Sequence, residues 1–281
     1  MARESQAGPI QLALLLLVSG ALAACTTREP GIMTWSEYGR NASSFRWPYL
    51  FRSELGDGEL LYFGSRHSYA PEDPQLSRIE ELWGRFEPTL AFNEGGHPPV
   101  EPSRAEAIRR HGEAGLVRFL AARDNVPVTT LDPSQAQEVA WLERSYSPEQ
   151  IKMFFVLRAV SQFAVREGTE GLESEIERIL RIYHNTPGLR QPPGSWDEVG
   201  SLYEKHFPGR GPVSEVPSSW FDPARDDTVL NEIARASGDY RDRWMVQLLA
   251  GHVGEGHRVF AVVGGSHVVR QADRLRWALS R

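Results

Sequence analysis

The sequence contains very little cysteine, and this scarcity limits how the protein can be stabilised. Cys25 is the only cysteine among 281 residues, so the chain cannot form an intramolecular disulfide. Stability must come from packing, and 41% hydrophobic residues with eight tryptophans are enough for a substantial core. The length suits one α/β domain, or such a domain with a helical insertion.

The sequence also lacks an excess of positive charge. It has 31 Lys and Arg residues against 37 Asp and Glu residues, which gives a formal net charge of -6 and no basic patch. Proteins that bind nucleic acid neutralise phosphates with clustered lysines and arginines. We therefore expect no nucleic-acid partner.

The longest apolar run lies near the N-terminus, where residues 12–25 read LALLLLVSGALAAC. The run is short for a membrane span and ends in small residues, which is typical of an export signal. Residues 22–25, Leu-Ala-Ala-Cys, resemble the lipobox of bacterial lipoproteins. This resemblance implies that residues 1–24 are a signal peptide and that Cys25 carries palmitate and other acyl chains.

Those acyl chains would hold the protein to a membrane of the bacterial cell envelope. Thr26 follows the cysteine, whereas an Asp at that position would resemble an inner-membrane retention signal. We therefore expect the outer membrane. A plain signal peptide that ends near a cysteine is the alternative.

The remaining chain predicts a single α/β domain. Residues 25–57 are rich in Gly, Pro and Ser, and we interpret them as the lipidated Cys25 and a tether. Strand patterns follow at residues 58–65, 88–94, 126–132 and 258–266, and helical patterns at 71–86, 103–125 and 133–144.

Between the third and the last strand pattern, residues 147–255 read as a block of helices. The alternation of strands and helices before this block predicts parallel βαβ units. The expected fold of residues 58–281 is a parallel-rich central sheet flanked by helices. Its strands come from both chain ends, with the helical block inserted between them.

Polar residues follow these strand patterns, where ligands bind in open α/β sheets. The stretches FGSRH and GGSH place Gly64 before His67 and Gly264 before His267, and FNEGG places Glu94 after the second strand. Two histidines and a carboxylate commonly bind Zn, Mn or Fe with open positions for water and substrate. Asp132, in LDPSQ, is better explained as an N-cap or turn residue before the next helix.

These motifs together resemble the Tiki superfamily, which includes TraB and GumN proteins, erythromycin esterases and ChaN lipoproteins. The resemblance rests on the two GxxH stretches, the Glu after the second strand, and Arg241 and Asp242 in YRDRWM on a late helix. Asp242 departs from the commonest TraB pattern, which has Asn there. The resemblance covers most of residues 58–281.

The branches of this superfamily imply different chemistries. Tiki proteins imply a divalent metal, such as Mn, Co, Zn or Fe, at His67, Glu94 and His267. Erythromycin esterases imply a comparable His and Glu set that activates water without metal. The leading hypothesis is therefore a hydrolase of a peptide, ester or lactone bond, with Arg241 stabilising the oxyanion and Asp242 supporting the site.

A carrier and a purely structural role are the alternatives. ChaN proteins are regarded as haem-binding, which would make this chain a haem- or metal-binding lipoprotein without catalysis. Tyr62, Tyr69 and Trp83 are the aromatics that could flank a haem, although core packing explains Tyr62 and Trp83 better. In the structural hypothesis the polar groups only brace the sheet, and Arg241 pairs with Asp242 or Glu94.

Overall fold

The computed structural model describes residues 29–281, and its centre is one five-stranded sheet. The strands are β1 (Tyr49–Leu55), β2 (Gly58–Ser65), β3 (Leu90–Asn93), β4 (Val128–Thr130) and β5 (Arg258–Gly264). Their order is β1-β2-β5-β3-β4, and every pairing is parallel except that of β1 with β2. The predicted α/β fold with a parallel-rich sheet is confirmed. The predicted signal peptide and Cys25 lie outside the described residues.

Nine α-helices within the described residues surround the sheet or form the insertion. They are α1 (Trp35–Asn41), α2 (Pro74–Phe86), α3 (Arg104–Asp124), α4 (Gln135–Leu142), α5 (Pro148–Glu167), α6 (Leu172–His184), α7 (Trp196–His206), α8 (Val229–Gly254) and α9 (Gly265–Ala278). No helix within residues 29–281 is both long enough and apolar enough to cross a membrane.

The sheet is buried on both faces, as β5 illustrates. Val259, Ala261 and Val263 pack against side chains of α8 and α9. Phe260 and Val262 point to the opposite face and pack against α2 and α3. Burial on both faces explains why the strand reads as a continuous apolar run instead of an alternating one.

The predicted helical block is present and has a core of its own. Side chains of α4, α5, α6 and α7 pack together with the first turns of α8 in a cluster separate from both faces of the sheet. The longest helix, α8, belongs to both regions, because its later residues Met245 and Leu249 pack on the sheet. The helix α8 therefore connects the core of the insertion to the core of the sheet.

The segment that we interpreted as a tether is instead partly folded into the domain. Within residues 25–57, α1 begins at Thr34 with a capping box, and β1 pairs antiparallel with β2 along its whole length. Only Phe51 of β1 is buried, so this edge strand lacks the apolar alternation that marks a strand in sequence. The domain consequently begins well before Gly58.

Candidate functional site

The carboxyl ends of the parallel strands bring His67, Glu94 and His267 to one place. Ser65 at the end of β2 pairs with Gly264 at the end of β5, and the Glu94 backbone N–H donates to the Val262 carbonyl. The Gly264 N–H donates to Glu94 Oε2 at 2.6 Å, and His267 Nε2 lies 3.5 Å from Glu94 Oε1. The three side chains line a single cavity, as the sequence led us to expect.

The motif glycines are required by close approach between the two GxxH segments. A Cβ on Gly64 would lie 2.9 Å from the Cα of Gly265, and a Cβ on Gly265 would overlap the ring of Trp47. A Cβ on Gly264 would lie 3.2 Å from both Glu94 Oε2 and His67 Nε2. Any side chain at Gly264 would therefore enter the space between the imidazole of His67 and the carboxylate of Glu94.

His67 is oriented by a carboxylate that the sequence analysis did not single out. Its Nδ1 lies 2.5 Å from Oε1 of Glu113, a buried residue of α3 that also accepts from the Ser65 hydroxyl. The side chain of His67 is 61% exposed, and its hydrogen bond to Glu113 raises its pKa more than partial desolvation lowers it. Within residues 29–281, Nε2 makes no hydrogen bond, and it faces the Gly264 and Glu94 side of the cavity.

The local sequence explains how a carboxylate in the middle of a helix reaches the site. Gly112 adopts φ 58° and breaks α3 into two segments, so the chain changes direction one residue before Glu113. A positive φ favours glycine, because other residues suffer steric clash there. In the sequence, only the glycine in His111-Gly112-Glu113, within a helical pattern, indicates this break in the helix.

His267 is held by a second, fully buried carboxylate. Its Nδ1 lies 2.6 Å from Asp242 Oδ1, and Asp242 also accepts from Gln271 and Arg270 of α9. Burial alone would lower the pKa of His267, but the carboxylates of Asp242 and Glu94 raise it to about 9. His267 is therefore an imidazolium at neutral pH.

Arg241 links two carboxylates at the edge of the sheet. Its Nη2 donates to Glu94 Oε1 at 2.6 Å and to Asp132 Oδ1 at 2.6 Å, while Asp132 Oδ2 accepts from the Gly95 N–H. Burial raises the pKa of Glu94, but His267 and Arg241 outweigh it and hold that pKa well below its usual range. Glu94 is a weakly basic, fully ionised carboxylate.

The structure corrects one of the two interpretations of Asp132: the residue lies in a bend before α4, but it is not the N-cap of that helix. The N-cap of α4 is Ser134, which forms a capping box with Gln137. Asp132 belongs to the site through its ion pair with Arg241. From the sequence LDPSQ alone, either Asp132 or Ser134 could cap the helix, since Asp and Ser are equally good N-caps.

The cavity has a volume of about 180 Å³ and is lined by both charged and aromatic side chains. The aromatic walls are Trp35, Phe154 and Phe221, and Arg158 of α5 lines the cavity as well. Trp35 comes from the segment expected to be a tether, and its ring meets that of His267 edge to face at 6.4 Å. A larger cavity of about 670 Å³ lies beyond Arg270 and contains neither site histidine.

The fit of a metal to His67, Glu94 and His267 is poor. Both histidines present Nε2 while a carboxylate holds Nδ1, which is an arrangement common around bound metals. However, Arg241 already places a cation on Glu94, and His267 carries a proton. Within residues 29–281, these three do not form a set of donor atoms mutually within 4.8 Å.

Such a set does occur at the opposite end of the sheet. His252, Glu255 and His257 each offer one donor atom within 4.8 Å of the others, so this group could hold a metal ion. His252 Nδ1 lies 2.9 Å from Glu255 Oε2, and all three side chains are partly or largely exposed. In sequence, neither histidine follows a strand end of the kind that marks His67 and His267, and both read as ordinary surface or hydrogen-bonded residues.

The aromatics considered for a haem site are separated in the structure. Tyr62 is fully buried in the sheet and donates to Gln271 Oε1 at 3.0 Å, and Trp83 is buried under the sheet's other face. Tyr69 is exposed. None of these three lines the cavity of His67 and His267.

No family profile, curated protein or solved structure matches this chain.

Proposed function

We propose that the protein is a metal-independent hydrolase that cleaves a carboxylic ester or lactone bond. The observation that carries the proposal is the pair of histidines, each with its own carboxylate, that meet at Glu94 in one cavity. His67 pairs with Glu113 and His267 with Asp242. Two imidazoles in one cavity can act as base and acid in one reaction.

His67 is the general base in this proposal. With Nδ1–H donated to Glu113, Nε2 carries the lone pair that accepts a proton from water as the water attacks the substrate carbonyl. Glu94 is less suited to that role, because its depressed pKa makes it a weak base. Its carboxylate instead fixes His267 and Arg241.

His267 supplies the acid. Its Nε2–H lies toward Glu94 Oε1 in the free protein, and in this mechanism it turns to the oxyanion that forms on the bound substrate and then transfers its proton to the departing alcohol oxygen. Arg241 contributes by fixing Glu94, since two of its nitrogens are already bound to carboxylates. The oxyanion role that we predicted for Arg241 therefore passes to His267 in this mechanism.

Among the branches of the Tiki superfamily, the resemblance to erythromycin esterases supports ester or lactone hydrolysis without a metal. The lipid anchor at Cys25 stays a prediction. A haem carrier is less well supported. Sites for drug-sized ligands typically occupy about 300–1,000 Å³, whereas the cavity beside His67 measures about 180 Å³. A haem would require the aromatic walls to move apart.

The proposal can be tested with the full-length protein against a panel of short-chain methyl esters and lactones, in the presence of EDTA. We expect hydrolysis that falls about 10²- to 10⁴-fold in His67→Gln and in His267→Gln, the usual range for a lost acid or base. His206→Gln is the matched control, because His206 also pairs with a carboxylate, Glu149, at 2.7 Å but outside the cavity.

Three outcomes would contradict the proposal. The first is hydrolysis that EDTA abolishes and that added Zn, Mn, Co or Fe restores. The second is hydrolysis that His67→Gln leaves unchanged. The third is a Soret band on haem addition that depends on His67, without cleavage of any ester or lactone.

A further inference from the structure

One guanidinium at the cavity lacks a counter-anion. Arg158 lies on α5 of the helical insertion and lines the cavity together with His67, Glu94 and His267. Within residues 29–281 its guanidinium makes no hydrogen bond and no ion pair, and its Cζ lies 5.8 Å from the centroid of the Phe154 ring, one turn earlier. The side chain is half-buried, and a guanidinium that is shielded from water is normally paired with an anion.

The other cations near the cavity are already neutralised. Arg241 binds Glu94 and Asp132, and Arg270 binds Asp242 and Asp239. Glu138 of α4 faces the same region, but its Oε1 accepts from the Ser237 hydroxyl and lies beyond ion-pair distance of Arg158. Burial and the charge of Arg241 lower the pKa of Arg158, while Glu138, Tyr183 and Glu94 raise it by less, so the nearby groups compensate its charge only in part.

We propose that Arg158 binds an anionic group of the substrate, so that the preferred substrates are small esters or lactones that carry a carboxylate. The proposal rests on the hydrolase function above. A guanidinium matches a carboxylate bidentately, which would fix the substrate relative to His67 and His267. The walls of Trp35, Phe154 and Phe221 suit an apolar stem between the carboxylate and the ester.

The size of the cavity limits the ligand. Sites for drug-sized ligands typically occupy about 300–1,000 Å³, so the cavity of about 180 Å³ favours a small ligand such as a short acyl chain. Because α5 belongs to the insertion and not to the sheet, specificity and catalysis would come from different parts of the fold.

The test compares hydrolysis of monomethyl glutarate with that of its neutral counterpart methyl hexanoate, measured as methanol release. We expect the wild type to favour the glutarate ester in kcat/KM. Arg158→Gln should lose about 10- to 100-fold on the glutarate ester and change less than about threefold on methyl hexanoate, as expected for one charge-assisted contact. Arg158→Lys should keep part of the preference.

Arg166→Gln is the matched control, since Arg166 lies on the same helix but pairs with Glu167 at the surface. An equal loss on both esters in Arg158→Gln, or no loss on either, would overturn the proposal. Inhibition of methyl hexanoate hydrolysis by glutarate and by inorganic phosphate distinguishes a carboxylate site from a phosphate site. Stronger inhibition by phosphate would overturn the assignment to carboxylates.

Calorimetric titration of the wild type and Arg158→Gln with glutarate separates this proposal from the hydrolase proposal. If no ester is cleaved but glutarate binds in an Arg158-dependent manner, the hydrolase function fails and the anion site stands. If esters are cleaved but the wild type does not bind glutarate more tightly than Arg158→Gln, the anion site fails and the hydrolase function stands.

Discussion

The buried ion pair of His267 and Asp242 predicts a specific dependence of stability on pH. The pKa of His267 rises from an ordinary 6.5 to about 9 in the folded protein. A raised pKa means that the folded state binds the proton more tightly than the unfolded state. The stabilisation of the folded state by protonated His267 is therefore complete below pH 6.5 and disappears as the pH rises through 9.

Linkage gives the size of the effect. A rise of the pKa from 6.5 to about 9 corresponds to about 3 kcal/mol at pH 6, about 2 kcal/mol at pH 7.5 and well below about 1 kcal/mol at pH 9. The side chain of His267 is only 7% exposed, so solvent screening is small. We expect the free energy of unfolding assigned to this residue to fall by about 3 kcal/mol between pH 6 and pH 9.

Urea denaturation of the wild type and of His267→Gln from pH 5.5 to 9.5 measures this contribution. The difference between the two curves removes the contributions of distant histidines, which titrate equally in both proteins. We expect the difference to decline with increasing pH over the window from 6.5 to 9. A flat difference, or one that increases with pH, would refute the protonated, ion-paired His267.

Three further predictions concern individual contacts. Gly264→Ala should leave stability nearly unchanged yet reduce ester hydrolysis at least tenfold, because its methyl group would enter the 3.2 Å space beside Glu94 and His67; equal activity in the variant would contradict the site geometry. Glu113→Gln should shift the acidic limb of the pH–rate profile to lower pH, because the hydrogen bond that His67 donates to Glu113 raises the pKa of His67; an unmoved limb would exclude His67 as the base. Gly58→Ala should destabilise the fold by about 1–3 kcal/mol in urea denaturation, because a Cβ would lie 1.9 Å from the backbone oxygen of Val253, whereas Gly84→Ala, with open space around its Cβ, should not.

The central part of the fold could be predicted from sequence because its strands are buried on both faces. Short continuous apolar runs such as 58–65 and 258–264 are typical of buried parallel strands, and a glycine followed by a polar residue marks their ends. This pattern places His67, Glu94 and His267 at one edge of the sheet. The register of β2 with β5 then explains why they meet.

The supporting carboxylates and the cavity walls were harder to predict. Glu113 lies in a helix where an acidic residue normally faces solvent, and only the break at Gly112 turns it inward. Trp35 reaches the cavity from a segment whose Gly, Pro and Ser content resembles a linker. Arg158 lies on a helix that is apolar on most sides. Because Arg158 is far from the strand ends along the chain, the sequence does not indicate that it lies near them in the fold.

The pH dependence of kcat/KM for ester hydrolysis by the full-length, EDTA-treated protein tests the base and acid pair most directly. We predict a bell-shaped profile that rises as His67 loses its proton, at a pKa above the ordinary 6.5, and falls near pH 9 as His267 loses its own. The rising limb should disappear in His67→Gln and the falling limb in His267→Gln. A profile that keeps both limbs in either variant would contradict the account.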